Sequence, residues 1–97
     1  MKESDIEKYL HKEIEKIGGT TRKWVSPGRV GVPDRIVFLS NPPFFVETKV
    51  IDGVLSGPQR REIRRLRKKK AIVYVCVSFY GVNRLIKRIK RIHVTSK

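Results

Sequence analysis

The chain has 97 residues, with 23 Lys and Arg against 9 Asp and Glu, a formal net charge of +14 at pH 7. That length holds one domain with a two-layer core, and a hydrophobic share of 39% is enough to build it, so the charge does not mark disorder. No run approaches the ~18 apolar residues of a membrane span, Met1–Asp5 lacks a signal peptide's apolar stretch, the single Cys76 excludes an internal disulfide, and two histidines, His11 and His93, are too few for a Cys/His zinc site.

The first 17 residues read as a helix. Ile6, Leu10, Ile14 and Ile17 recur at helical spacing with charges on the other face, Ser4 or Asp5 can cap the start unless it lies earlier, and Gly18-Gly19 ends it. Residues 20–26 are rich in strand formers, and the loop Pro27–Pro33 holds two glycines and two prolines. Strands over Asp34–Leu39 and Phe44–Val50 flank the turn Ser40-Asn41-Pro42-Pro43, which suggests an antiparallel hairpin. After Asp52-Gly53 a second helix begins, with Ser56 as cap and Pro58 in its first turn, and it ends in Arg67-Lys68-Lys69-Lys70, where cations suit the negative end of the dipole. Ala71–Val77 is a continuous apolar run, the pattern of a central strand covered on both faces. A last helix, from about Val82 to Ile92, sets Leu85, Ile86, Ile89 and Ile92 on one side and five Lys or Arg on the other. The predicted order is α-β-β-β-α-β-α, without repeats or linkers.

Charge divides the chain unevenly. Residues 1–59 hold nine basic and eight acidic residues, whereas residues 60–97 hold fourteen basic residues and one acid, Glu62. Unrelieved repulsion destabilises a compact chain, so the second half predicts a polyanionic partner, nucleic acid ahead of an anionic membrane surface or an acidic protein. Arg60, Arg61, Arg64, Arg65, Arg67 and Lys68 cover the exposed side of the second helix and can track a phosphate backbone irrespective of sequence. Lys23, Arg29 and Arg35 are counted with them as expected phosphate contacts.

The residues that can do chemistry are polar ones inside strand patterns. Period 2 puts Phe45, Glu47 and Lys49 on one face of the third strand, with Val46, Thr48 and Val50 on the other. Asp34 starts the preceding strand, and antiparallel pairing brings it near Glu47 and Lys49. Two carboxylates can hold Mg²⁺ or Mn²⁺ with open positions for water and phosphate oxygens. A lysine beside them can orient a water or stabilise charge growing on phosphorus. Taken alone, Glu-x-Lys in a strand is more simply a salt bridge.

Gly31-Val32-Pro33-Asp34, Phe45-Val46-Glu47-Thr48-Lys49 and Leu55-Ser56-Gly57-Pro58-Gln59 together resemble the PD-(D/E)xK nuclease superfamily, and within it the VRR-NUC (virus-type replication-repair nuclease) domain, over residues 1–97 as a single domain. The resemblance implies an α/β (α+β) fold with a restriction-endonuclease-like αβββαβ core, its mixed sheet flanked by helices, plus a C-terminal basic helix. It implies a divalent-metal-dependent endonuclease in which Asp34 and Glu47 hold Mg²⁺ or Mn²⁺ and Lys49 is the catalytic lysine. Gln59 matches the family's glutamine, equally readable as an ordinary first-turn residue, and Thr48 would offer only its main-chain carbonyl to the metal. A glutamate on the first helix completes the family's metal set. Glu3 extends the apolar stripe toward the end of the sheet and is the first choice, with Glu7 second.

The family and the size of the chain imply a homodimer cutting branched DNA such as four-way junctions, in replication, repair or recombination. No membrane and no small-molecule cofactor are expected, and the setting would be the cytoplasm, at a bacterial nucleoid or in a phage-infected host. The rival readings are a non-catalytic basic nucleic-acid-binding protein and a flap or restriction-type nuclease. Gly28, Gly31 and Gly57 can admit a phosphate backbone or simply make turns, and Trp24 suits a core or an interface better than a base-stacking platform. Neither His11 nor His93 has a ligand partner in sequence.

Overall fold

A computed structural model describes residues 1–92; His93 lies outside the described residues. The elements run α1 (Glu3–Lys16), β1 (Thr20–Lys23), β2 (Arg35–Phe38), β3 (Phe44–Lys49), α2 (Gly57–Lys68), β4 (Val73–Val77) and α3 (Ser78–Ile92). Their order is the one expected, and the two ends of α1 show why it forms there. Lys2 is the N-cap, its backbone N–H donating to the Asp5 carboxylate at 3.0 Å, so Asp5 acts from inside the first turn instead of capping it. At the other end Gly18 takes φ +97°, a conformation that side chains resist.

The four strands form one mixed sheet in the order β1-β2-β3-β4. β1, β2 and β3 pair antiparallel, and β3 pairs parallel with β4 across the connection made by α2. Strand alternation sets Thr21, Val37, Phe44, Val46, Thr48 and Cys76 on one face. There α1 and α3 supply Ile6, Leu10, Ile14, Val82, Leu85, Ile86 and Ile89 to a single core. The other face carries Ile36, Phe45, Glu47, Lys49, Val73 and Val75, and α2 packs near its β4 side.

Two expectations are corrected. The apolar run is not a central strand: β4 is the edge of the sheet, with Val75 and Val77 exposed, and β3 is the buried central strand. The last helix begins at Ser78, four residues earlier than expected. Ser78 turns the chain from strand into helix at φ +67°, and its hydroxyl accepts from the Gly81 N–H at 3.4 Å, so no loop separates them.

Candidate active site

The two ends of the β2–β3 hairpin build the site. The register of that pair, continued one residue beyond Arg35↔Val46, sets Asp34 opposite Glu47. Because Asp34 lies just outside β2, its carboxylate can turn toward the neighbouring strand. Its Oδ2 accepts from both the backbone N–H (2.9 Å) and the hydroxyl (2.8 Å) of Thr48. The Thr48 side chain thus fixes Asp34, a role that alternation obscures because it points Thr48 away from Glu47. The backbone is held as well, since the Trp24 N–H donates to the Asp34 carbonyl at 3.0 Å.

Glu47 is 1% exposed. Its Oε2 accepts from the Gln59 amide at 2.9 Å, while its Oε1 is buried with no hydrogen-bond partner among the described residues. A buried carboxylate oxygen left bare is costly. Burial, and then the nearby Asp34 charge, push the Glu47 carboxyl up to about 7, although Lys49 pulls the other way. Lys49 is itself buried, with its Nζ 3.7 Å from Glu47 and 3.4 Å from Glu3. Cys76, beneath the pair, is pushed up to about 12 by burial and the same two carboxylates, which keeps it a neutral thiol of the core.

Gln59 joins two functions at the start of α2. With Ser56 it closes a capping box: the Gln59 N–H donates to the Ser56 hydroxyl at 3.2 Å, and the Gln59 Oε1 accepts from the Ser56 N–H at 2.8 Å. Its remaining amide hydrogens point to Glu47. Gly31 lets α2 come this close. It sits at φ +86°, and a Cβ there would lie 2.5 Å from the Pro58 carbonyl oxygen and 2.9 Å from the Gln59 nitrogen. The Gly31 of the loop serves this packing and not the approach of a phosphate.

No family model matches the chain. Over 67 residues it is 49% identical to a protein of Acyrthosiphon pisum secondary endosymbiont phage 1 that bears the name "Putative nuclease p44"; the match takes in 68% of this chain and 72% of that protein. A solved structure named as a VRR_NUC domain superposes with a TM-score of 0.81 at 37% identity, over 88% of this chain and 94% of that one. The chain belongs to the VRR-NUC nuclease family.

In this VRR-NUC nuclease the sequence-predicted residues divide into three groups. Asp34, Glu47, Lys49, Thr48 and Gln59 come together at one end of the sheet, and Glu3 reaches that end through Lys49. Glu3 is engaged with Lys49 and does not join a three-carboxylate cluster; among the described residues no three such groups converge. Glu7, the second choice, is turned inward and 7% exposed. Its carboxylate binds Lys23 Nζ at 2.9 and 3.0 Å and Arg35 Nε at 2.7 Å, one helical turn from Glu3.

That pairing corrects the expected phosphate contact at Arg35, which is largely covered. Lys23 and Arg35 both hold α1 on β1 and β2, while the Lys23 side chain stays exposed. Arg35 also reaches Thr21 Oγ1 at 3.4 Å, and the same hydroxyl lies 2.6 Å from His11 Nδ1, so His11 belongs to this network. Two more cations are shared: Arg29 and Arg65 both pair with buried Glu62, at 3.5 and 2.9 Å, tying the glycine-rich loop to α2. Arg60 donates to the Leu55 carbonyl at 2.7 Å, and Arg61, Arg64 and Lys68 stand exposed. Trp24 packs on Phe45 with ring centroids 5.0 Å apart.

Sequence reasoning missed the Thr48 hydroxyl and the Glu7 network. Strand parity gives the first no signal, because Asp34 bends out of β2. For the second, Lys23↔Arg35 pairing brings two cations side by side on one face, which by itself demands an anion between them.

Proposed function

We propose that this VRR-NUC nuclease is a divalent-metal-dependent endonuclease that hydrolyses phosphodiester bonds in branched DNA, with a four-way junction as substrate and a homodimer as the acting form. The observation that carries the metal reading is the bare, buried Oε1 of Glu47 beside a second carboxylate. Two hard oxygen donors held together against their mutual repulsion, one of them lacking any hydrogen bond, fit Mg²⁺ or Mn²⁺. A protein that only gripped DNA would gain nothing from burying Glu47.

Asp34 and Glu47 would hold the ion through carboxylate oxygens, with the Thr48 main-chain carbonyl as a further donor. When bound, it supplies Lewis-acid polarisation of the phosphodiester and acidifies a water. The protein's own contribution is positional. Thr48 locks Asp34 through one oxygen, and Gln59 locks Glu47 through Oε2, which leaves Oε1 for the ligand. Lys49 places its ammonium between Glu3 and Glu47, where it orients the attacking water and offsets charge growing on phosphorus. Glu3 holds that ammonium in place. The exposed cations Arg61, Arg64 and Lys68 lie along the helix that starts at Gln59, and phosphates reaching the site can follow them.

The junction and the dimer are supported by the family: the described residues hold one candidate site, and two symmetric cuts need two copies. Cleavage of a mobile four-way junction is compared with linear duplexes of the same sequence, with Mg²⁺ or Mn²⁺ and in EDTA. Metal-dependent cutting of the junction, at least about tenfold faster than the duplexes, is expected. Equal rates overturn the junction preference, and the absence of cutting on every DNA overturns the enzymatic reading.

A further inference from the structure

β4 is a sheet edge, and no strand covers its outer side among the described residues. Two clefts meet along it at Val75. One lies against α2, about 460 Å³ in volume, with Arg60, Arg64 and Lys68 on its wall. The other runs against α3, with Lys87, Arg88 and Arg91 on its wall. No carboxylate lines either cleft among the described residues. The floor is apolar: Val75 is 36% exposed, Val77 38% and Tyr80 69%.

Two cationic rails on either side of an apolar floor limit what fits. A second copy of the chain would set like charges against one another along both rails, and an acidic surface without apolar groups would leave the floor wet. Duplex DNA offers phosphates but keeps its bases stacked inside. A single strand offers both parts at once: its phosphates can follow the rails while unstacked bases lie on Val75, Val77 and Tyr80. The Arg84 guanidinium sits 5.9 Å from the Tyr80 ring centroid, which steadies that ring.

We infer that the β4 edge groove binds an unpaired DNA strand. This rests on the nucleic-acid reading above, though not on cleavage. Register gives the groove its meaning. Val75 pairs with Glu47 and Val77 with Lys49, so β4 lies one strand spacing, about 4.8 Å, from the strand that carries the site, and a DNA strand along its outer side runs about two spacings from it. The groove would receive the strand at a branch point where pairing is interrupted, and present its continuation to Glu47 and Lys49.

The test is fluorescence anisotropy in EDTA, where no cutting occurs, with labelled oligo-dT of about 20 nucleotides and a duplex of equal length. Wild type, Tyr80→Ala and the double variant Lys87→Glu/Arg91→Glu are compared, with folding checked by circular dichroism; all three side chains are exposed. Tyr80→Ala is expected to weaken oligo-dT binding by about fivefold or more while leaving duplex binding within about twofold. The double variant is expected to weaken oligo-dT binding further and to flatten its salt dependence. If wild type does not bind oligo-dT, or if Tyr80→Ala affects neither DNA or both equally, the inference is overturned. The outcomes separate from those of cleavage: oligo-dT binding without cutting removes the nuclease mechanism alone, and cutting without oligo-dT binding removes the groove alone.

Discussion

Replacing Glu47 by glutamine should stabilise the metal-free protein while stopping the reaction. Burial and the Asp34 charge raise the Glu47 carboxyl from 4.5 to about 7 in the folded chain. A raised carboxyl favours the folded state while it is protonated. That contribution is complete below about pH 4.5 and is lost as pH rises through about 7. At about 1.4 kcal/mol per unit the shift corresponds to roughly 3 kcal/mol. Water at the open end of the sheet screens part of this, which leaves about 2 kcal/mol as the expected size. Glutamine keeps the shape and the bond from Gln59 but cannot ionise. In EDTA, Glu47→Gln should therefore match wild type near pH 4.5 and exceed it at pH 8 by about 2 kcal/mol, or about 10 °C in melting temperature for a chain of this length. Thermal melts of both proteins across that range test it. The carboxylates far from the site titrate alike in both proteins, so the difference reports Glu47 together with its coupling to Asp34. Cleavage should fall by more than the 10- to 100-fold typical of groups that merely support a ligand, about a hundredfold or more, with DNA binding retained. A variant less stable than wild type at pH 8, or a difference that does not change with pH, would refute the argument from burial and repulsion.

The remaining expectations concern the frame around the site. Adding Mg²⁺ or Mn²⁺ in place of EDTA should raise the melting temperature of wild type at pH 8 and leave Glu47→Gln nearly unmoved, read by the same melts. Ser56→Ala should cost about 1 kcal/mol by urea unfolding with little change in rate, whereas Gln59→Ala should cost about 2–3 kcal/mol and slow cleavage about 10- to 100-fold; equal rates for the two would contradict the Gln59–Glu47 contact. Gly31→Ala should lower stability by more than about 3 kcal/mol, since it combines a left-handed φ with overlap on the Pro58 backbone. For Glu7→Gln a loss of about 2–3 kcal/mol is expected in urea, from leaving Arg35 covered without its anion; an unshifted midpoint would show that the network does not hold α1 to the sheet.

Much of the fold was legible because local signals agreed. The α1 stripe, the proline-rich turn before Phe44 and the Ser56-Gly57-Pro58-Gln59 start of α2 each state their element without help from the rest of the chain. The candidate site was legible only from Gly31–Asp34, Phe45–Lys49 and Leu55–Gln59 taken together, because polar residues within one strand read by themselves as a salt bridge. What failed concerns pairing order and long-range contacts. Periodicity reports how apolar a strand is but not who its neighbours are. β4 reads as central because of its apolar run, while β3, which is central, is interrupted by the residues that make the site. Charged residues misled for a related reason. Lys23, Arg35, Arg29 and Arg65 look like free cations in sequence, and only the packing of α1 and of the glycine-rich loop shows that Glu7 and Glu62 hold them.

The Ser56–Gln59 cap makes the first turn of α2 and the carboxylate of Glu47 one cooperative unit. Helix ends fray more readily than whole domains unfold. Each time this end opens, the amide that holds Glu47 leaves with it, and the site loses its alignment while the rest of the sheet stays intact. Cleavage should therefore be lost on warming before the protein unfolds, which a comparison of the inactivation and melting temperatures tests.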